Sequence, residues 1–179
     1  VIVGTGDHNF FGMLYKQRAE GAGTDITYVD ARLLVHRWYA DPVEARLDIG
    51  WKHRGSKVDT DELFAKVIAT GRPLFVTGPF HPSIFRDWAT YPHGPLIRIV
   101  PKGERPPRPI DVFGENLTLL KDSTIEPGQA YPSTSWAHFI LADYAATWRS
   151  IADALERSNR PRESARARQI ADAFLVDDS

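Results

Sequence analysis

The sequence of 179 residues contains no cysteine, which excludes disulfide bonds, thiolate metal centres and cysteine nucleophiles. It has no run of about 18 apolar residues of the kind that spans a bilayer. It also lacks the Gly-x-Ser-x-Gly elbow of serine hydrolases and the glycine-rich phosphate loop of NTPases. The commonest hydrolase and NTPase mechanisms are therefore excluded.

A charge excess of one sign is missing as well. The 22 basic and 23 acidic side chains give a net charge of -1. Such a chain has no overall field that attracts nucleic acid or an anionic membrane surface, so we predict no nucleic-acid partner. The length fits one domain, or one domain with a small appendage.

The chain opens with three β-branched apolar residues, which predict a buried strand. Gly4 and Gly6 then predict a tight turn, and the polar triplet Asp7, His8 and Asn9 follows it. In open α/β sheets, ligands bind at the carboxyl ends of the strands, so this triplet is the first candidate site. Because the chain begins inside a predicted strand, we expect it to be a piece of a longer protein.

Predicted strands alternate with helical patterns over the first hundred residues. The strand segments are 1–3, 26–30, 73–77 and 96–100, and the helical segments are 10–20, a segment from about 43, 59–71 and 83–89. Alternation of this kind predicts an α/β fold with a mostly parallel open sheet and helices on both of its faces.

The C-terminal part is strongly helical. An apolar stripe from Ile140 to Leu155 predicts one helix, and residues 162–175 predict a second after Pro161. Two linked helices resemble a single helical-repeat unit, which cannot bury its own apolar face. We therefore predict an α/β domain at residues 1–130 and a repeat-like helical hairpin at residues 131–179 that packs on it or continues in a longer parent.

The opening turn imitates a dinucleotide-binding motif. The spacing Gly4-x-Gly6-x-x-Asn9, followed by Asp30, places glycines near a phosphate and an acid near a ribose. The third glycine of the motif is absent, and Phe10 occupies space that a pyrophosphate needs. The alternative is a turn that requires glycine for backbone reasons only.

A second set of polar residues follows the other predicted strands. Asp30 ends the second strand and His81 follows the third, so both could meet the Asp7–Asn9 triplet at one sheet edge. Two histidines and two aspartates could bind a divalent metal or act as acid and base. Ordinary loop groups and helix caps explain the same residues, and we predict neither a metal site nor a catalytic residue.

Aromatic residues cluster in the middle of the sequence. They include Trp38, Tyr39, Trp51, Phe80, Phe85, Trp88 and Tyr91. If exposed, such rings can stack on sugars or on an acceptor peptide, whereas buried rings simply fill the core.

Residues 6–39 carry a resemblance that spacing does not reveal. The matching motifs are Gly6-Asp7-His8-Asn9-Phe10-Phe11, Leu14-Tyr15-x-Gln17, Glu20-Gly21, Asp25-Ile26-Thr27-Tyr28-Val29, Leu33-Leu34 and Trp38-Tyr39. This block resembles the extracytoplasmic part of a large bacterial membrane-protein family, formerly a domain of unknown function and related to protein O-mannosyltransferases of the GT-C class. Arg72–Val76, Ile97–Pro101 and the terminal hairpin resemble later parts of that family. Asn9 stands where the family has a second aspartate, and Phe10 and Gly12 replace its threonine and proline.

The resemblance implies an accessory domain of a glycosyltransferase-like protein, whose catalytic acid lies in the membrane part. The implied partners are the membrane-spanning part of the same parent chain and a glycan or peptide acceptor. The implied location is the periplasmic face of a bacterial membrane, as a soluble domain without a cofactor. Two alternatives remain: an independent nucleotide- or metal-binding α/β enzyme that uses the strand-end turn, and a protein-interaction scaffold built on the helical hairpin.

The coding sequence upstream of Val1 tests the implied membrane parent. We expect several membrane-spanning helices to precede the chain in the same reading frame, because the related enzymes carry their catalytic loop in such helices. A hydropathy profile of the upstream frame checks this. A parent protein without any multi-spanning segment would contradict the prediction.

Overall fold

The fold is described from a computed structural model that covers residues 1–52, 55, 58–78, 80–123, 128, 131–132 and 135–175. The chain divides into two compact units. The first comprises Val1–Thr90 and Arg98–Arg105, and the second comprises Tyr91–Ile97 and Pro106–Ser179. None of the helices in the described ranges is long and apolar enough to cross a bilayer.

The chain forms six α-helices and a five-stranded open sheet within its described part. The strands are β1 (Ile2–Gly4), β2 (Tyr28–Asp30), β3 (Phe75–Thr77), β4 (Thr90–His93) and β5 (Leu96–Ile99). The helices are α1 (Asp7–Ala19), α2 (Arg37–Leu47), α3 (Thr60–Ala69), α4 (Pro109–Asp122), α5 (Trp136–Arg157) and α6 (Pro161–Ala173). Two short 3₁₀ turns lie at Leu33–Val35 and Pro82–Phe85.

The sheet is mixed, with the strand order β2-β1-β3-β5-β4. Strand β1 pairs in parallel with β2 on one side and with β3 on the other. Only Gly94 and Pro95 lie between β4 and β5. A link of two residues is too short to connect parallel strands, so β4 and β5 are antiparallel. The prediction of an α/β fold is confirmed, but the prediction of a mostly parallel sheet is wrong. Strand β4 has the proline-containing sequence of a turn and no helix separates it from β5, so the sequence pattern does not predict this antiparallel pair.

The core of the first unit lies against the three parallel strands. The paired residues Val3, Val29 and Val76 form one row across the sheet and are fully buried. Leu63 and Phe64 of α3 pack in the same cluster. The cluster also contains Trp51 and Trp88, so these two aromatic residues fill the core as the second interpretation of the aromatic cluster predicts.

Helix α2 begins six residues earlier than the sequence predicts. The pair Asp41-Pro42 is typical of an N-cap followed by the first helical residue, yet Pro42 lies inside α2. The buried residues Ala40, Val43 and Leu47 share one face of the helix and draw this whole segment into helical conformation. Pro42 has no N–H to donate to the carbonyl of Trp38, so the helix gives up one internal hydrogen bond.

The second unit contains the predicted helical hairpin. Helices α5 and α6 pack around Trp148, Ile151 and Leu155, and the small residues Ala167 and Ala171 allow α6 to approach closely. Helix α4 contributes Val112 and Phe113 to the same cluster. The compact units therefore differ from the predicted division at residue 130, since α4 belongs with the hairpin.

Asn116 fixes the turn between β4 and β5 to α4. Its amide oxygen accepts from the N–H of Gly94 at 2.7 Å, and its amide nitrogen donates to the carbonyls of Pro92 and Val112 at 3.0 and 2.8 Å. The residue is only 2% exposed. Asn116 opens an Asn-x-Thr glycosylation triplet, but its buried and fully bonded amide is inaccessible in the folded unit.

Gly78 is required where β3 ends beside Thr5. Its φ of +91° is unfavourable for other residues, and an added Cβ would lie 2.6 Å from the carbonyl oxygen of Thr5. We expect Gly78→Ala to lower the free energy of unfolding by about 3 kcal/mol, of which roughly 1–2 kcal/mol is backbone strain. Urea denaturation followed by circular dichroism measures this change.

Gly71→Ala is the matched control for this substitution. Gly71 has a similar φ of +74°, but an added Cβ meets nothing within 4 Å. We expect it to cost only the backbone part, roughly 1–2 kcal/mol. Equal losses in the two variants would contradict the collision with Thr5.

Candidate functional site

The glycines of the opening turn are explained by the backbone and by one side chain. Tyr28, Gly4 and Asp30 lie on the same face of the sheet because side chains alternate along a strand. The hydroxyl of Tyr28 lies over Gly4, where a Cβ would collide with it. Gly6 precedes α1 with a φ of 110°, a conformation that other residues rarely adopt. Both glycines are therefore needed without any bound phosphate.

The predicted polar triplet belongs to a helix. Helix α1 begins at Asp7 and not at Phe10, so the backbone of Asp7, His8 and Asn9 forms its first turn. The triplet follows the carboxyl end of β1, as the sequence predicts. Its side chains lie outside the described part of the structure.

Asp30 is engaged in an internal ion pair. Its side chain is fully buried and accepts from the backbone N–H of Arg32 at 2.9 Å. The guanidinium of Arg32 donates to both carboxylate oxygens, at 3.2 and 2.9 Å. This carboxylate already has its partners, so it is poorly suited to bind a ribose.

His81 has a local structural role. Its Nδ1 lies 2.8 Å from the hydroxyl of Ser83 and accepts from the N–H of Ser83, which caps the second 3₁₀ turn. No hydrogen bond among the described residues joins His81 to Asp30, Trp38 or Tyr39. The described residues also contain no group of three or more histidines and carboxylates that could hold a metal ion.

Trp38 and Tyr39 line a cleft between α1 and α2. The cleft has a volume of about 310 Å³, at the lower end of the range of small-molecule sites. Helix α1 contributes Phe10, Met13, Leu14, Gln17 and Arg18. Strand β2, the residue before it and helix α2 contribute Thr27, Tyr28, Trp38, Tyr39, Pro42, Val43 and Arg46.

The aromatic rings of the cleft form one connected group. Phe10 lies 6.2 Å from Tyr28 and 6.1 Å from Tyr39, measured between ring centroids. Trp38 packs edge-on against Tyr39 at 5.8 Å and stacks on the ring of His36 at 6.1 Å. Trp38 is nevertheless 67% exposed, which is unusual for so large an aromatic residue. The cleft therefore offers an exposed ring that its neighbours hold in place.

The polar residues of the cleft are also held by the backbone. Gln17 donates through its amide nitrogen to the carbonyls of Gly23 and Ile26, at 2.8 and 2.7 Å. Arg46 donates to the carbonyls of Thr24 and Ile26, both at 3.3 Å. These bonds fix the loop between α1 and β2 against both helices, which gives the cleft a preformed wall.

The two tyrosines of the cleft differ in whether their hydroxyl groups form hydrogen bonds. The hydroxyl of Tyr39 accepts from the backbone N–H of Asp30 at 2.8 Å. The hydroxyl of Tyr28 is buried and has no hydrogen-bond partner among the described residues. Burial is the largest cause that raises the pKa of both tyrosines, and the nearby carboxylate of Asp30 adds to it. Both tyrosine hydroxyl groups therefore keep their protons at physiological pH.

A larger groove on another face of α2 is less specific. It has a volume of about 710 Å³ and is lined by Arg37, Asp41, Glu44 and Lys52 among others. Charges of both signs alternate there, and Arg37 already lies 3.9 Å from Asp41. Its one aromatic residue, Trp51, is buried. This groove has no exposed ring and no net charge with which to select a ligand.

Sequence reasoning found Trp38 and Tyr39 but missed the rest of the cleft. Helix α1 overlaps the predicted helical segment 10–20, but nothing in that segment distinguishes the exposed residues Phe11 and Tyr15 from Phe10, which lines the cleft. Arg46 follows Trp38 by eight residues on one face of α2, a relation that is visible only once the helix begins before Trp38. The place of Arg46 in the cleft could therefore not be predicted without the correct first residue of α2.

The two tyrosines are distinguished by removal of their hydroxyl groups. We expect Tyr28→Phe to leave the free energy of unfolding unchanged or to raise it by up to about 1 kcal/mol, because it removes a buried, unbonded group. We expect Tyr39→Phe to lower it by about 1–2 kcal/mol, because it leaves the N–H of Asp30 without its acceptor. Urea denaturation at pH 7 measures both changes.

The dependence of stability on alkaline pH tests the raised pKa of Tyr28. The unfolded chain ionises its tyrosines near pH 10, whereas folded Tyr28 keeps its proton to higher pH. Above about pH 10 the unfolded chain is stabilised by ionising this tyrosine, whereas the folded chain keeps the proton. Tyr28 therefore lowers the free energy of unfolding as the pH rises further. Tyr28→Phe should lose less stability than the wild type between pH 9 and pH 11, and equal losses would contradict the raised pKa.

Comparisons of the chain with protein-family models, with curated proteins and with solved structures find no match. The resemblance of residues 6–39 stays a prediction.

Proposed function

We propose that this chain is a binding domain that holds a sugar or an acceptor peptide in the cleft between α1 and α2. In this proposal it is an accessory part of a membrane-embedded, glycosyltransferase-like protein and has no catalytic activity of its own. The observation that carries the proposal is the exposed ring of Trp38 beside a preformed aromatic cleft.

The exposure of Trp38 is costly unless a ligand covers the ring. A side chain of this size normally gains stability by leaving water, and full burial of a large apolar side chain contributes about 1.5–3 kcal/mol. Here the ring remains two-thirds exposed while His36 and Tyr39 restrict its motion. Because its conformation is already restricted, binding a ligand loses little side-chain entropy.

The shape and lining of the cleft suit a ring. A pyranose presents C–H bonds on its faces and hydroxyls around its edge, so it pairs an apolar face with polar contacts. The cleft supplies Phe10, Tyr28 and Trp38 for such a face, and Gln17 lies in the same lining. A proline or an aromatic residue of a peptide acceptor has similar requirements.

The contacts of the candidate polar residues Asp30 and His81 support a binding function over a catalytic one. The carboxylate of Asp30 is buried against Arg32, and His81 is engaged with Ser83. An acid–base residue needs access to substrate, which Asp30 lacks. The side chains of Asp7, His8 and Asn9 lie outside the described part of the structure.

The resemblance links the cleft to the proposed parent. The matching motifs within residues 6–39 supply seven of the twelve residues that line the cleft, namely Phe10, Leu14, Gln17, Thr27, Tyr28, Trp38 and Tyr39. If this block is shared with the family, the shared residues build a binding surface. We infer from the same resemblance that the domain lies on the extracytoplasmic side of a bacterial membrane and works beside the membrane-spanning part of its own chain.

Loss of the Trp38 ring tests the binding function. We expect Trp38→Ala to weaken binding of a sugar or acceptor peptide about tenfold, which corresponds to about 1.4 kcal/mol of lost contact. The measurement is a titration of isotope-labelled protein with a panel of monosaccharides and short peptides, followed by NMR chemical shifts. Shifts of the Trp38 indole signal locate the ligand.

Phe139→Ala is the matched control. Phe139 is also an exposed aromatic residue, at 51%, but it belongs to α5 in the second unit. Its removal should leave the affinity unchanged. The proposed function is contradicted if no ligand of the panel shifts the Trp38 signal, or if both variants bind as tightly as the wild type.

A further inference from the structure

We propose that the ligand of this cleft is an acidic sugar, a ring that carries one carboxylate or phosphate substituent. This inference rests on the proposed binding function and names the class of ligand. The observation that carries it is the charge of the lining, which contains Arg18 and Arg46 but no aspartate or glutamate.

The positive charge of the cleft is a local property. The whole chain is almost balanced, with 22 basic and 23 acidic residues. No carboxylate of the described residues lines the cleft, although Asp25, Glu44 and Asp48 are close to it in sequence. Three further acids near the lining are engaged with other cations. Glu20 accepts from Lys16 at 2.6 Å, Asp41 lies 3.9 Å from Arg37, and Asp30 is buried against Arg32. Neither Arg18 nor Arg46 has an ion-pair partner among the described residues, and Arg46 donates only to backbone carbonyls there.

Arg46 is oriented without being neutralised. Its guanidinium donates to two backbone carbonyls, both at 3.3 Å, which is long for a hydrogen bond of a charged donor. Carbonyl groups leave the full positive charge in place. A guanidinium has five N–H donors, so donors remain for a ligand.

Arg18 is exposed and has no ion pair or hydrogen bond among the described residues. It lies on α1, whereas Arg46 lies on α2, so the two cations border the cleft from different helices. A planar guanidinium binds a carboxylate or a phosphate through two parallel hydrogen bonds. The cleft therefore combines an aromatic surface for a ring with cations for an anionic substituent.

Both components are needed to select the ligand. An aromatic surface alone accepts neutral sugars equally well, and exposed arginines alone accept any small anion. Because both guanidiniums border water, each contact is screened and contributes modestly. We expect an acidic sugar to bind about fivefold to tenfold more tightly than its neutral counterpart at low ionic strength, and the advantage should shrink as salt is added.

The test compares four probes by NMR titration of the whole chain. The probes are glucose, glucuronate, glucose 6-phosphate and inorganic phosphate. We expect glucuronate and glucose 6-phosphate to bind more tightly than glucose, and inorganic phosphate to bind more weakly than glucose 6-phosphate because it lacks the ring. The carboxylate and phosphate arms show which anion is preferred.

Arg18→Gln should remove part of the preference for the acidic sugars, and Arg18→Gln combined with Arg46→Gln should remove all of it. The Arg18→Gln variant alone decides the question if the double variant unfolds. Arg18 has no ion pair or hydrogen bond among the described residues, whereas Arg46 fixes a loop. Arg86→Gln is the control, since Arg86 is exposed in the same unit and does not line the cleft. It should keep the full preference.

The outcomes separate this inference from the proposed function. If glucose and the acidic sugars bind equally and all depend on Trp38, the acidic ligand class is overturned while the binding function stands. If Arg86→Gln weakens the acidic sugars as much as Arg18→Gln, the attraction is general and the inference is also overturned. If no sugar shifts the Trp38 signal, the acidic-sugar inference fails, and the binding function then depends on the peptide panel alone.

Discussion

The register of β1 between β2 and β3 is the constraint on which the first unit depends. Val3 pairs with Val29 and Val76, and all three are fully buried. A shift of one residue would turn this row of valines away from the core, so burial fixes the register strongly. The same register aligns Gly4, Asp30 and Thr77 in the next row. The carboxyl edge of the sheet is thus set by residues that lie outside the lining of the cleft.

The cleft follows from this edge. Strand β2 carries Tyr28 on the face that lies over Gly4, and Asp30 directs its N–H to the hydroxyl of Tyr39. That hydrogen bond joins α2 to the end of β2, and the bonds from Gln17 and Arg46 join both helices to the preceding loop. Hydrogen bonds to the backbone therefore hold both helices of the cleft against β2 and the loop that precedes it. Such support favours a preformed site over one that closes around its ligand.

Local signals in the sequence predicted much of the fold. Asp59 caps α3 by accepting from the N–H of Glu62 at 2.9 Å, and the N-terminal acids of that helix indicate this in the sequence. The strands at β1, β2, β3 and β5 were found because β-branched residues concentrate there. Helix α2 was misplaced because Asp41-Pro42 is a strong local N-cap pattern, while the burial of Ala40, Val43 and Leu47 outweighs it. A tertiary contact decided that boundary, and no window of local sequence contains such a contact.

The residues of the candidate site also depend on tertiary contacts that local sequence does not contain. Trp38 and Tyr39 could be singled out as chemically suitable residues, but exposed and buried tryptophans cannot be separated by residue type. Trp51 and Trp88 fill the core, and Trp38 does not. Arg18 and Arg46 are two of 22 basic residues, and nothing local distinguishes them. They become a pair only because α1 and α2 line the same cleft and because no carboxylate of the described residues lies in that lining. A binding site defined by the absence of counter-charges is invisible until the partners of every neighbouring charge are known.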